Sequence, residues 1–346
     1  MGRRHALVLL KVLMAHQVHH MAYAGTTPWH RLGSHLQPKQ SLEAWTQAAG
    51  MDWSICESPV HYLAETSGGL SSLRDFKDQR VLYRSDTKEA LSVVSRRYQV
   101  VQPQEVLEFY RDLTEVSGFE LETAGVLKAG RKFWALARTG KSARLKGSDT
   151  VRGYLLLATS CDGSLATVAT PTTIRVVCAN TLNVAVRGSN CAIRVPHNTS
   201  FDAEAVKRQL GVAVSQWDSF MHRMKALAER KVKDSEAEAF FRKVISNAEA
   251  QGTAHVSASI VVAGKEAKLL NDHALKKVQG LFNGQGRGSE LAAAKGTAWG
   301  LLNAVTEFVD HERRARSQEY RLDSAWFGQG AAVKQRALDQ ALALAA

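Results

Sequence analysis

The chain has 346 residues, with 45 Lys plus Arg against 33 Asp plus Glu, a formal net charge of +12 and 45% hydrophobic residues. That apolar share supports a buried core and excludes a disordered chain, while 25 Gly, 6 Pro and 4 Cys exclude collagen-like and disulfide-scaffold classes. No window reaches the roughly 18–20 apolar residues of a membrane-spanning helix, the length suggests about two domains, and the charge points to an acidic partner, nucleic acid first.

The first residues, Met1-Gly2-Arg3-Arg4-His5 followed by Ala6 to Leu10, have the look of a signal peptide, but Lys11 breaks the apolar run and no small-x-small cleavage site follows. Residues 1–13 read as an upstream extension, with Met14 as a second start. Residues 14–79 read as an N-terminal arm. From Arg80 to about Arg194 short β-type runs dominate: 81–84, 91–101, 119–128, 132–138, 151–159, 165–170 and 173–178. They are rich in Val, Thr, Tyr and Phe and are punctuated by Gly, Asp or Pro. Asp162-Gly163 marks a hairpin turn. One helix interrupts the strands, opened by Pro103, carried by Val106, Leu107, Tyr110 and Leu113 and closed by Gly118.

From Asp202 the period changes to 3.6. Helices are expected over 203–230, from Asp234 or Ser235 onward, near 267–282, and from a Ser289 cap to about His311. A surface helix is expected at the Gln- and Ala-rich end, 335–346. The fold class is therefore α+β: an antiparallel sheet with one inserted helix (β-β-α, then a β meander) over 80–200, and a mostly helical region over 201–346. The four cysteines, at 56, 161, 178 and 191, form no C-x-x-C pair. They read as reduced and mostly buried, which fits a cytoplasmic protein.

The strongest chemical signal is basic. From Lys128 to Arg152 the chain carries Lys128, Arg131, Lys132, Arg138, Lys141, Arg144, Lys146 and Arg152 against Asp149 alone, with Phe133 and Trp134 inside the run. Cations neutralise phosphates, and aromatic faces stack unpaired bases. Strand neighbours point to opposite faces, so at least one of Phe133 and Trp134 belongs to the core. The expected phosphate contacts are Lys128, Arg131, Lys132, Lys141, Arg144 and Lys146. Arg96, Arg97 and Arg175 rank second, and Trp134 and Tyr98 are stacking candidates. Arg175 lies in an otherwise apolar strand, so it is either paired with a carboxylate or aimed at a ligand phosphate. His16, His19 and His20 have no carboxylate or thiolate at ligand spacing, so no metal site is expected. No nucleotide-binding or hydrolase motif occurs, and Gln285-Gly286-Arg287-Gly288 is not a phosphate loop. No catalytic residue and no cofactor are assigned.

Several islands carry a resemblance. They are Met21 to Gly25 with Pro28 to Gly33, Val94 to Gln102, Ser160-Cys161-Asp162-Gly163-Ser164, Arg175 to Leu182, Thr297-Ala298-Trp299-Gly300 with Asn303 to Thr306, Asp310-His311, and Ser324 to Gly328. Together they resemble the phage/plasmid-like protein family built on domain of unknown function nine-three-two, with Cys161 standing where the family pattern has His. The resemblance supports Met14 as the start and implies a phage or plasmid setting. At the level of fold, the β-β-α core is similar to single-strand annealing proteins of the Rad-fifty-two type. That likeness implies single-stranded DNA as partner, annealing without ATP and a homo-oligomer; with no membrane-spanning window in the sequence, no membrane partner is expected. Two other readings stay open: a mobile-element accessory protein working through protein contacts, and a metal-dependent nuclease using acids such as Asp86, Glu89, Glu105, Asp112, Asp149 and Asp162.

Overall fold

The computed structural model describes residues 20–25, 28, 33–65, 71–115, 117–183, 185–186, 189–190, 192–215, 217–250 and 272–346. His16 and His19 lie outside them. The architecture is α+β, with antiparallel sheets and a helical C-terminal region. The chain forms two compact units. The first takes residues 1–137, 157–168 and 194–202, and the second takes 138–156, 169–193 and 203–346. The expected boundaries fall at about residues 80 and 200. The chain instead passes between units several times, because four strands carry residues of both.

The region expected as an arm holds regular structure. Strands β1 (Met21–Ala24) and β2 (Ser34–Leu36) pair in parallel. Helix α1 (Leu42–Ala48) follows, capped by Ser41, whose Oγ accepts from the Ala44 N–H. Then β3 (Ile55–Glu65), β4 (Ser71–Arg84) and β5 (Ala90–Ser95) make a three-stranded antiparallel sheet. Strands β3 and β4 continue past the end of β5 as a two-stranded ribbon, with Val60 opposite Phe76 and Leu63 opposite Leu73. Tyr62, Leu63, Leu73 and Phe76 are exposed there.

The interrupting helix divides into α2 (Pro103–Glu108) and α3 (Arg111–Glu115). Next come β6 (Glu120–Leu127), β7 (Lys132–Arg144), β8 (Thr150–Ser160), β9 (Thr167–Arg175) and β10 (Asn180–Asn183). The short β11 (Ala185–Val186), β12 (Ser189–Asn190) and β13 (Ile193–Val195) follow. The large sheet runs β10-β9-β8-β7-β6-β1-β2, so the meander expected from β6 onward is present. Residues 132–137 of β7 are buried at every position, as in a strand covered on both faces. Trp45, Trp53, Phe109, Tyr110, Phe133 and Trp134 fill the first unit's core, and the Tyr110 hydroxyl donates to the Ala135 carbonyl at 2.9 Å.

The second unit's helices are α4 (Ala203–Ser215), α5 (Trp217–Glu229), α6 (Asp234–Ala250), α7 (272–280), α8 (Ala298–Glu307), α9 (Gln318–Phe327) and α10 (Gln329–Ala345). All ten residues of α8 are buried, which fits a segment apolar on nearly every side. Two expectations change here. The cap of this helix is Thr297, not Ser289, and residues 289–296 form turns. Helix α10 is not a surface helix either. Val333, Ala337, Leu338 and Ala341 recur at helical spacing and face the core.

Candidate nucleic-acid interface

In the first unit the expected residues sit on turns. Strand β5 ends at Ser95, so Arg96 and Arg97 occupy a turn rather than the longer strand expected; both are exposed. Tyr98 is partly buried. Its hydroxyl donates to the Ser160 carbonyl at 2.8 Å, and its ring stacks on His197 with centroids 4.4 Å apart. Burial pushes the Tyr98 phenol up to about 12. Its face is therefore already occupied by a protein partner. His197 in turn sets its ring nitrogens 3.1 Å from the Gln99 carbonyl and 2.9 Å from the Leu165 carbonyl.

Ser160 and Asp162 shape the adjoining turn. The Ser160 Oγ donates to the Leu165 carbonyl and accepts from the Leu165 N–H, at 2.9 and 3.0 Å. An Asp162 carboxylate oxygen accepts from the Ser164 N–H at 2.9 Å. Burial pushes the Asp162 carboxyl up. Bonds from Ser164 and Ser160 and the charge of Lys132 outweigh it, and the net shift is downward. Cys161 is buried, which raises its thiol to about 12, and its N–H donates to the Arg131 carbonyl at 2.9 Å.

That bond reaches the basic segment. Lys128 and Ala129 both hold φ of 54° and Gly130 holds 100°, three consecutive left-handed residues. For the two non-glycine positions such geometry costs about 1–3 kcal/mol each and persists only where the surroundings impose it. Lys128 is partly buried and Arg131 is exposed at this turn. Two expected contacts fail on burial. Lys132 is 5% exposed, and Trp134 is 0% exposed and has no face to offer a base.

In the second unit β7 changes character at Arg138. Its exposed positions alternate, and the hairpin to β8 closes with the Leu145 N–H donating to the Asp149 carbonyl. Arg144 is exposed, and Lys141 and Arg152 are half-buried. Arg144 and Arg152 have the same parity on antiparallel neighbours and so share a face. Lys146 is also at the surface, but Glu229 holds its ammonium at 3.0 Å. Among the described residues Arg96, Arg97, Arg131, Arg144 and Arg152 form no ion pair.

Arg175 resolves toward the carboxylate. It is 3% exposed; its Nε lies 2.9 Å from one Asp149 oxygen and its Nη2 2.8 Å from the other. The Trp299 Nε1–H donates to the same carboxylate at 3.0 Å. Arg175 therefore cannot meet a ligand phosphate. A second buried pair was not foreseen: the Lys334 Nζ lies 2.8 Å from Asp310 and donates to the Thr181 Oγ1 at 2.7 Å. Burial pulls the Lys334 ammonium below the ordinary lysine range, against the pull of Asp310. Asp149 was the one acid in the basic run, which in hindsight marks it as a partner. Lys334 carries no such signal, because it reads as a surface lysine of an Ala-rich helix.

A model of the family described as Domain of unknown function (DUF932) matches residues 90–326. The chain belongs to this family. Neither a curated protein nor a solved structure matches it.

The DUF932 match covers most of the islands noted in the sequence, and the fold gathers them in groups. In the first unit Tyr98 from one island bonds Ser160 from another. In the second, Asn180 Nδ2 donates to the Thr306 Oγ1, the Thr181 N–H donates to Asp310, and the His311 Nε2 donates to the Cys178 carbonyl. The acids considered for a nuclease are dispersed in structural duties. Asp86 holds Arg84, Glu105 accepts from the Gln102 N–H, and Asp149 holds Arg175. Among the described residues no three metal-ligating side chains gather, and no helix is long and apolar enough to cross a membrane.

Proposed function

We propose that this DUF932 protein binds nucleic acid through phosphate contacts, prefers single-stranded DNA, and anneals strands without a nucleotide cofactor in the cytoplasm of a cell carrying a phage or plasmid. The observation that carries the reading is the contrast in how charge is used. The buried cations Arg175 and Lys334 are paired, while Arg96, Arg97, Arg131, Arg144 and Arg152 carry charge at or near the surface without an ion pair among the described residues. Unpaired surface arginines in a chain of net charge +12 attract a polyanion. Annealing needs strands held and neutralised, with bases left open. The burial of Trp134 and the stacking of Tyr98 on His197 fit backbone contact better than base stacking at these positions.

Fluorescence anisotropy with a labelled single-stranded oligonucleotide, against duplex, tests this. Five phosphate contacts predict roughly a hundredfold loss of affinity between about 50 and 200 mM salt. Arg144→Ala combined with Arg152→Ala should flatten the logarithmic salt slope by about 1.4. An unchanged slope removes the hairpin from the interface.

The exposed ribbon favours a second reading. Tyr62, Leu63, Leu73 and Phe76 present apolar surface on both faces of an unsupported two-stranded hairpin, as at protein contact sites. On this reading the protein is a mobile-element accessory that works through a protein partner or a second copy. Indifference to oligonucleotides at both salts, together with self-association lost on replacing Tyr62 and Leu73 by Ser, selects it.

A further inference from the structure

The loop Gly284-Gln285-Gly286-Arg287-Gly288 in the second unit is gripped from two sides. Both Glu307 carboxylate oxygens accept from the Arg287 N–H, at 3.1 and 3.0 Å. The buried Arg175 donates to the carbonyls of Arg287 and Gly288, at 3.4 and 2.9 Å. The Ser289 Oγ donates to the Gly286 carbonyl at 2.7 Å. Glycine is needed on both flanks. A Cβ on Gly286 would lie 2.5 Å from the Leu281 carbonyl oxygen, and one on Gly288, where φ is +68°, would lie 2.7 Å from Val177.

Such anchoring is expensive. Arg175 and Asp149 are buried ions, and burial raises the Glu307 carboxyl. Yet the side chain displayed by the anchored peptide, Arg287, is exposed. Its Nη1 lies 3.4 Å from the His311 Nδ1. The His311 Nε2–H is committed to the Cys178 carbonyl at 2.9 Å, so Nδ1 is the accepting nitrogen. The Arg287 Nε and Nη2, which lie on one edge of the guanidinium, make no hydrogen bond among the described residues. Glu312, next to His311, is held by Lys277 at 3.1 Å.

We propose that Arg287 is a positioned phosphate receptor, whose Nε–Nη2 edge takes two oxygens of one phosphodiester. A side-on guanidinium edge matches that pair of oxygens, and pinning both the backbone and Nη1 removes much of the ordering cost of binding. The receptor works through its side chain, unlike nucleotide loops that use backbone amides. The proposal rests on the nucleic-acid reading above. Arg175, Glu307 and His311 are its positioning residues.

The test is anisotropy of the full chain with a labelled single-stranded oligonucleotide across a salt series, for wild type, Arg287→Ala and Arg287→Lys, with thermal melting alongside. The Ala variant should bind roughly tenfold to a hundredfold more weakly and lower the salt slope by about 0.7. The Lys variant should keep the slope and still bind several-fold more weakly, because a point charge cannot pair with both oxygens. Both should melt as wild type does. If wild type binds and the Ala variant matches it in affinity and slope, the receptor is overturned while the nucleic-acid reading stands. If wild type ignores the oligonucleotide, both fall. Arg287-dependent binding of a labelled poly-Glu peptide in that case would assign the edge to carboxylates.

Discussion

The two units solve the same problem, polar groups inside a core, by different means. Around Tyr98 the first unit uses mostly neutral partners: a phenol, the Ser160 hydroxyl, the stacked His197 and backbone carbonyls. Around Arg175 and Lys334 the second unit uses full charges: Asp149 with Arg175, Asp310 with Lys334, and Glu307 on a loop peptide. A neutral bond contributes about 1 kcal/mol net, and removing one buried partner costs about 1–3 kcal/mol. A buried ion stripped of its partner costs far more, although the intact pair adds little over an apolar replacement. The surroundings of Arg175 and Lys334 should therefore be brittle to single changes and tolerant of paired ones, and those of Tyr98 should show neither behaviour.

The largest effect is expected at Asp149. Asp149→Ala leaves the Arg175 guanidinium buried without a counter-charge and strands the Trp299 N–H, costing about 3–5 kcal/mol by urea unfolding. Lys334→Met should cost nearly as much, and adding Asp310→Asn, which removes the charge and keeps an acceptor for the Thr181 N–H, should restore most of it; a double variant no better than the single would show that the pair adds stability of its own. Next is the cap of the central helix, where the Thr297 Oγ1 accepts from the Gly300 N–H and donates to the Ala293 carbonyl, at 3.1 and 2.7 Å. Thr297→Ala should lower stability by about 1–2 kcal/mol, and Thr297→Ser should recover it. In the neutral region Tyr98→Phe should cost only about 1 kcal/mol. A loss as large as that at Asp149 would erase the distinction between the units.

The smallest effect is one of pH. Burial, with the nearby Arg287 charge, lowers the His311 imidazole. The unfolded chain then takes up a proton before the folded one does. The contribution is present above about pH 6.5 and lost as pH falls toward the folded value. Glu307 runs the other way: its raised carboxyl favours the folded state at acid pH, and that contribution is lost as pH rises through the folded value. Melting between pH 7 and 5 should flatten in His311→Gln.

Strands β6 to β9 of the large sheet were legible because their apolar residues and Asp162-Gly163 obey local rules, whereas the short β1, β2 and β10 were not. The helical C-terminal region was legible for the same reason. Strand β3 and the part of β4 before Val81 were not, since Arg74, Asp75, Lys77 and Asp78 sit among Leu73 and Phe76 in a ribbon exposed on both faces, and no buried face imposes alternation. The buried charges were hidden by distance along the chain. Arg175 could be seen to need a carboxylate, but Asp149 lies 26 residues away and its Trp299 donor 150 residues away. Lys334 sits on α10 and Asp310 just past the end of α8, and only packing shows that they meet. Trp134 and Lys132 looked like binding residues because composition does not tell a strand covered on both faces from one covered on a single face. Arg287 was set aside because its loop lacks a nucleotide signature, and its anchoring came only with the fold.

The 150 residues between Asp149 and Trp299 also set a delay during synthesis. At about 5–20 residues per second, a ribosome reaches Trp299 roughly 8 to 30 s after Asp149 has been made. By the end of that interval the strands carrying Asp149 and Arg175 have left the ribosome, while the helix that completes their enclosure is only beginning to be made. The nascent sheet must wait with its charged face hydrated, so production in a cell should depend on elongation speed and on whatever holds the unfinished chain until residue 299 arrives.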